Sequence, residues 1–143
     1  MVSEILLNKF KKALKKEGLK VTPQRIAVLE EVLNSSDHRI SEDIYSAIKK
    51  NKVNVSRATV YRTLDILVQS GFARKMNLDG GGAKYENKIN SPHHDHLICN
   101  ECDDIIEFVN DDIERIQDEI AQKFQFKLQK HIHQLFGVCK KCQ

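Results

Sequence analysis

Two groups of residues in the second half of the chain are of types that bind metal ions. The first is a run rich in imidazole, carboxylate and thiol groups, His93-His94-Asp95-His96-Leu97-Ile98-Cys99-Asn100-Glu101-Cys102. The second, near the C-terminus, is Cys139-Lys140-Lys141-Cys142. Thiolates are typical zinc ligands, whereas mixed imidazole and carboxylate ligands suit Fe(II), Mn(II) or Zn(II). These runs therefore predict a metalloprotein.

All four cysteines belong to C-x-x-C pairs, Cys99/Cys102 and Cys139/Cys142. This spacing suits neighbouring corners of a zinc tetrahedron, so we expect one closed four-sulfur site with a structural role. The two pairs are farther apart than in a zinc ribbon, so the last strand must return beside the strand that leads to Cys99. A disulfide or redox switch is the alternative, which the lack of a secretory signal disfavours.

The histidine run has the alternation of a β-strand. His94 and His96 would face one way and His93 and Asp95 the other, which favours two separate metal sites. Candidate partners are Glu114 and His131 for the second pair, and His38, Glu86 and Glu107 for the first pair. A polar loop without a specific metal is the alternative for the run, and solvated carboxylates are the alternative for the glutamates.

The first half has the periodicity of four helices followed by a hairpin. Thr22 before Pro23, Ser41 and Ser56 are predicted to cap the second, third and fourth helices. The helices are expected at 3–17, 22–33, 41–48 and 56–71, and short strands are expected on both sides of a turn at 79–82. This order predicts a winged helix-turn-helix domain over residues 1–86.

The fourth helix has the pattern of a DNA-reading helix. Val60, Leu64 and Leu67 form its apolar stripe, while Arg62 lies on the opposite face and Tyr61 at the margin. Such a helix can enter a major groove. Packing of Tyr61 in the core is the alternative for that residue.

A polar segment with a proline, residues 87–92, predicts a hinge. Residues 93–143 then read as strands at 94–99, 105–108 and 126–136, with a helix at 111–124. His133 would share a strand face with His131, which makes it an additional candidate ligand. Since one helix cannot cover a three-stranded sheet, we expect this α/β domain to dimerise, and the fold class to be α+β.

The charge is unevenly distributed along the chain. Residues 1–83 carry 15 Lys and Arg against 9 Asp and Glu, whereas residues 84–143 carry 8 against 11. This division favours polyanion binding by the first half and sensing by the second. No apolar run approaches the roughly 18 residues of a membrane span, so we expect a cytoplasmic protein without a membrane partner.

Three motifs, in this order, resemble those of the ferric uptake regulator family. They are Leu19-Lys20-Val21-Thr22-Pro23-Gln24-Arg25, Ala58-Thr59-Val60-Tyr61-Arg62-Thr63-Leu64, and the run from His93 to Cys102 with Ile105-Ile106-Glu107-Phe108. The resemblance covers essentially the whole chain. It implies a metal-dependent transcriptional repressor with no catalytic activity, a homodimer or tetramer that binds an A/T-rich inverted repeat of double-stranded DNA and controls iron-uptake genes.

The resemblance also implies a role for each candidate residue. The regulatory site would use Fe(II), with Mn(II) or Zn(II) as substitutes, and a structural zinc would occupy the cysteines. The implied sets are His38, Glu86, His94, His96 and Glu107 for the regulatory site; His93, Asp95, Glu114 and His131 for a second site; Cys99, Cys102, Cys139 and Cys142 for zinc; and Lys20, Tyr61 and Arg62 for DNA.

The subtype and the class of protein have alternatives. The peroxide-sensing branch typically has Asp at the position of Glu86, and its second metal set is incomplete. Glu86 and the complete second set of this chain therefore favour the iron-sensing branch. The zinc-sensing branch shares the cysteines, so it stays open as an alternative. Members of the family commonly have glycine directly after the first cysteine pair, where this chain has Asp103. A metal hydrolase is disfavoured because no H-E-x-x-H motif is present. A zinc-ribbon adaptor would explain the cysteines but not the histidines.

Overall fold

The computed structural model describes residues 2–89 and 91–143. Met1 and Asn90 lie outside the described residues, so one residue of the predicted first domain and one of the predicted hinge are not described. Contacts divide the chain into two compact units, Met1–Ser91 and Pro92–Gln143. The predicted α+β class is confirmed.

Four helices make up most of the N-terminal unit. They are α1 (Glu4–Lys16), α2 (Pro23–Leu33), α3 (Ser41–Lys50) and α4 (Arg57–Gln69). The hydroxyls of Thr22 and Ser56 accept hydrogen bonds from the amides of the third residue after them, as expected of N-caps. The prediction for Ser41 is wrong: it is the first helical residue, and Ile40 precedes it without a side-chain cap.

The N-terminal unit has one continuous apolar core, to which every helix contributes. Phe10 and Phe72 meet edge to face within this core, with ring centroids 6.1 Å apart. The largest fully buried side chains are Phe10, Phe72, Leu14, Leu29, Ile44, Ile48, Leu64, Leu67, Met76, Val28, Val60 and Thr63. The buried stripe of α4 therefore fixes which of its faces is presented outward.

A hairpin follows α4 and completes the winged-helix arrangement. After Gly71, which adopts a left-handed conformation that suits glycine, β1 (Ala73–Asn77) pairs antiparallel with β2 (Ala83–Asn87). Tyr85 of β2 also exchanges backbone hydrogen bonds with Arg39, the residue two before α3. The wing is therefore tied to the helices by backbone as well as by core contacts.

The C-terminal unit is a small sheet with one helix. Its elements are β3 (Asp95–Cys99), β4 (Ile105–Phe108), α5 (Asp111–Lys123) and β5 (Gln134–Gly137). The strand order is β4-β3-β5; β4 is antiparallel to the central strand and β5 is parallel to it. Asn110 caps α5 by accepting hydrogen bonds from the amides of Asp112 and Ile113.

The predicted long strand over residues 126–136 is wrong, because β5 is limited to Gln134–Gly137. In the parallel register His96 lies opposite Gln134, so residues before 133 could pair only with residues that precede β3. Those include Pro92, which has no N–H to donate. His131 therefore lies in an irregular segment rather than on a strand face shared with His133.

Within the described residues, none of the helices is long and apolar enough to cross a membrane.

Replacing Phe10 by Ala should destabilise the N-terminal unit by about 3–5 kcal/mol, because it removes a fully buried ring and leaves a cavity. Urea unfolding followed by circular dichroism would measure the loss. Ile5→Ala, on an exposed position of the same helix, is the matched control. Equal effects of the two substitutions would contradict the assignment of Phe10 to the core.

Candidate metal centres

The four cysteine thiols converge at one end of the sheet in the C-terminal unit. Their sulfur atoms lie within 4.8 Å of one another, and Sγ of Cys102 is 3.7 Å from Sγ of Cys139. Zinc–sulfur bonds of about 2.3 Å place neighbouring corners of a tetrahedron about 3.8 Å apart. Parallel pairing of β3 with β5 sets Cys99 opposite Gly137 and so brings the two pairs together. The donor set and its spacing fit zinc.

The thiols differ in how readily they lose their protons. Backbone N–H groups of Cys102 and Cys139 lower the pKa of Cys99 to about 6. Hydrogen bonding to the thiols of Cys139 and Cys102 raises the pKa of Cys142 to about 12. A four-thiolate zinc site must displace the proton of Cys142, so zinc binding releases protons and weakens as the pH falls.

The second predicted set also converges within the C-terminal unit. Nε2 of His93 and Nε2 of His131 lie 3.2 and 3.4 Å from Oε1 of Glu114. The same two nitrogens lie 3.5 and 3.3 Å from Oδ1 of Asp95. Donors bound at about 2.1 Å to one cation are separated by about 3.0–3.4 Å. The four side chains, from β3, α5 and the segment before β5, are thus spaced as ligands of one ion.

The state of Asp95 supports a cation at this position. Its side chain is only 2% exposed, and Oδ2 has no hydrogen-bond partner among the described residues. A buried carboxylate oxygen without a partner is costly unless a cation neutralises it. The second set therefore fits a divalent metal ion.

The regulatory set is divided between the two units. In the N-terminal unit, Nε2 of His38 lies 2.7 Å from Oε2 of Glu86, which is buried. The other carboxylate oxygen of Glu86 pairs with Arg74. Sequence reasoning missed Arg74, because the predicted hairpin left its register open; in the structure Arg74 lies opposite Glu86. The guanidinium holds one oxygen of Glu86 and leaves the other beside His38.

The C-terminal unit contains the other three residues of the regulatory set. His94 and His96 stack edge to face, with ring centroids 4.8 Å apart, as their alternation predicted. Nδ1 of His94 donates to the carbonyl of Pro92, which directs Nε2 toward Glu107 at 3.3 Å. Glu107 itself is the cross-strand partner of His96. A carbonyl that holds one ring nitrogen is the usual support of a metal-binding histidine.

The structure also shows the surroundings of two further residues that the sequence singled out, His133 and Asp103. His133 packs against Phe108, with ring centroids 5.8 Å apart, and joins none of the three ligand sets found among the described residues. Asp103 occupies the turn after the first cysteine pair with φ of 60°, a left-handed conformation that Asp tolerates.

The predicted DNA-binding side chains all lie at the surface of the N-terminal unit. Tyr61 is 55% exposed, so the alternative of core packing is wrong. Arg62 beside it on α4 is also exposed. Lys20 lies exposed in the loop before α2, and its carbonyl accepts a hydrogen bond from Nη1 of Arg25.

A winged-helix unit followed by a ligand-rich α/β unit defines a metal-binding protein of the helix-turn-helix class. The model of the ferric uptake regulator family matches residues 16–136, and the chain belongs to that family. The ferric uptake regulation protein of Campylobacter upsaliensis is 46% identical over 141 residues, covering 97% of this chain and 90% of the relative. The ferric uptake regulation protein of Helicobacter pylori strain 26695 is 36% identical over 140 residues, which cover 98% of this chain and 93% of the relative.

Solved structures agree with this assignment. The Helicobacter pylori ferric uptake regulator, described as having three functional metal binding sites, is 35% identical with a TM-score of 0.85. The match covers 99% of this chain and 94% of that one. The ferric uptake regulator of Pseudomonas aeruginosa, solved with manganese, is 35% identical with a TM-score of 0.74. That match covers 91% of this chain and 97% of the other.

Replacing Cys142 by Ser should reduce the zinc content of the purified protein from about one ion per chain to nearly none, because three thiolates would leave the tetrahedron open. Elemental analysis would measure the metal, and thermal unfolding would register the loss of stability. Lys140→Ser, an exposed change between the same two cysteines, is the control. Retention of zinc by the Cys142 variant would contradict the four-sulfur site.

Proposed function

We propose that this protein is a metal-dependent transcriptional repressor that binds DNA when Fe(II), or Mn(II) in its place, acts as corepressor. The genes under control would be those of iron uptake, and the protein would act in the cytoplasm without catalysing a reaction. The observation that carries the proposal is that both units contain ligand pairs of the regulatory set: His38 beside Glu86 in the first and His94 beside Glu107 in the second.

The proposed switch depends on ligands contributed by both units. When bound, the divalent cation would supply coordination bonds to His38 and Glu86 as well as to His94, His96 and Glu107. These ligands would thereby favour one arrangement of the two units over all others. The gain in DNA affinity equals the difference in metal affinity between that arrangement and the rest, about 1–3 kcal/mol in typical allosteric proteins.

The remaining metal sites have stabilising roles in the proposal. The cysteines would hold structural zinc, because a four-sulfur site is closed to further ligands. The set of His93, Asp95, Glu114 and His131 would bind a second divalent ion within the C-terminal unit. Its members come from three separate segments, so a cation there would join β3, α5 and the segment before β5.

The C-terminal unit has the surface expected of a dimerisation domain. Among the described residues its large apolar side chains are mostly exposed: Leu97, Ile106, Val109, Ile116, Ile120, Phe124, Phe126, Leu128, Ile132, Leu135, Phe136 and Val138. Apolar surface of this extent marks an interaction site. A second copy would cover it, and two DNA-reading helices would then match the two halves of an inverted repeat.

DNA recognition would divide between the two grooves. Arg62 can contact guanine or phosphate, and the ring of Tyr61 can pack against a thymine methyl in the major groove. Lys20 would enter an A/T-rich minor groove, whose potential attracts cations.

Replacing Arg62 by Ala should weaken binding to the operator by about 1–3 kcal/mol, because a base or phosphate contact is lost. Replacing Lys20 by Gln removes a positive charge from the DNA interface. This change should reduce the slope of log K against log salt concentration by about one unit. Fluorescence anisotropy at several salt concentrations would measure both. Lys130→Gln, which removes an exposed charge from the C-terminal unit, is the control. If all three variants bound the operator with the same affinity and salt dependence, the assignment of Arg62 and Lys20 to DNA binding would be wrong.

The switch can be tested by titrating Fe(II), Mn(II) and Zn(II) separately into protein that retains only its cysteine-bound zinc. Anisotropy of an A/T-rich inverted-repeat duplex would be recorded anaerobically at fixed salt. His38→Ala and His94→Ala should each abolish most of the metal-dependent gain, which we expect to be five- to 150-fold. His133→Ala, outside every ligand set, is the matched control. Unchanged metal dependence in the first two variants would refute the proposed switch.

The same titration separates the related functions. Binding that requires Fe(II) or Mn(II) and survives modest peroxide supports the iron sensor. Permanent loss after peroxide would indicate a peroxide sensor, and a response to trace free Zn(II) alone would indicate a zinc sensor. Absence of DNA binding with every metal would count against a regulator and favour a zinc-ribbon adaptor.

A further inference from the structure

Two buried oxygen atoms of the C-terminal unit have no hydrogen-bond partner among the described residues, Oδ2 of Asp95 and Oε1 of Gln117. Buried polar atoms in proteins nearly always have one, so each of these oxygens needs an explanation. Asp95 belongs to the second metal set. Gln117 belongs to no set, and its amide is not among the ligand types that the sequence pattern emphasised.

The position of Gln117 connects it with the same metal set. It follows Glu114 by three residues on α5, and residues three apart lie on the same helix face. Ile113, Glu114, Gln117 and Ala121 are the half-buried residues of this helix, whose other side chains are exposed. The inward face of α5 therefore presents the carboxylate of Glu114 and the amide of Gln117 one turn apart.

A cavity beside α5 places Gln117 near a second member of the set. Gln117 and His131 are its two polar lining residues; the others are Ile120, Ala121, Phe124, Phe126 and Leu128. These apolar side chains have no donor that could satisfy Oε1 of Gln117. The buried carboxamide oxygen thus belongs to a residue that lines the same cavity as His131 and lies one helical turn from Glu114.

We propose that Gln117 is a further ligand of the second metal set, through Oε1, and that it sets the preference of that site for Mn(II) or Fe(II) over Zn(II). The inference rests on the second site of the proposed function. An amide oxygen is a hard, neutral donor that suits Mn(II). With it the set has at least five donors, and six if Asp95 uses both oxygens. Zinc is commonly satisfied by four, whereas Mn(II) favours six.

The test compares Gln117→Leu, Gln117→Glu and the exposed control Gln122→Leu in full-length protein. All three would be made in a His38→Ala/Glu107→Ala background, which weakens the regulatory set and leaves the second set complete. Mn(II) binding would be measured by electron paramagnetic resonance, and Zn(II) binding by competition with a chromophoric chelator. Thermal unfolding would be recorded with and without each metal.

Gln117→Leu should weaken Mn(II) binding by roughly 10- to 100-fold and change Zn(II) binding much less, while Gln117→Glu should retain Mn(II) binding. Gln122→Leu should match the parent for both metals. If Gln117→Leu bound Mn(II) like the control, or if it lowered the unfolding temperature equally with and without metal, Gln117 would have a packing role and the proposal would be overturned.

Metal binding by the His38→Ala/Glu107→Ala protein tests whether the second site exists, independently of the role of Gln117 in it. If that protein bound neither Mn(II) nor Zn(II) beyond its cysteine-bound zinc, the second site itself would be refuted, and the role of Gln117 with it. The regulatory switch would be unaffected by that result, because it is measured separately through metal-dependent DNA binding.

Discussion

The C-terminal unit must position its ligand side chains with almost no apolar interior of its own. Within its described residues, Ile98 and Cys99 are the buried apolar side chains, and α5 has no buried residue. A unit of this size rarely folds stably on such a core without metal ions or a partner. Coordination bonds and a second copy would therefore supply stability here, so that metal binding and folding depend on the same contacts.

The N-terminal unit depends on a different interaction. Its core joins four helices and the wing, and that core holds α4 so that Val60 and Leu64 face inward and Tyr61 outward. Because the reading face is fixed by burial alone, no metal ion is needed to form it. A metal-dependent change in DNA affinity would then act on where this unit is placed, which is why ligand pairs in both units matter to the proposed mechanism.

One ligand carboxylate has an oxygen that a residue outside the metal sets holds in place. Arg74 binds one oxygen of Glu86, and the other oxygen faces His38. A ligand restrained in this way loses less freedom on binding an ion, and its surroundings influence which ion fits. Asp95 differs, because Oδ1 lies among the other donors of its set and Oδ2 has no partner among the described residues. Gln117 lies on the same face of α5 as Glu114, so one helix positions both side chains.

The sequence by itself determined the ligand types, the helices and the two-site division, because these follow from local chemistry and from the periods of helices and strands. The family was also recognisable from three motifs, and the comparisons confirm it. Only the tertiary structure decided how long β5 is, that Ile40 rather than Ser41 precedes α3, that Arg74 pairs with Glu86, and that Oε1 of Gln117 is buried. Each of these depends on what a residue meets across the fold: a strand ends where its neighbour offers no partner, and an amide oxygen becomes significant only once it is buried.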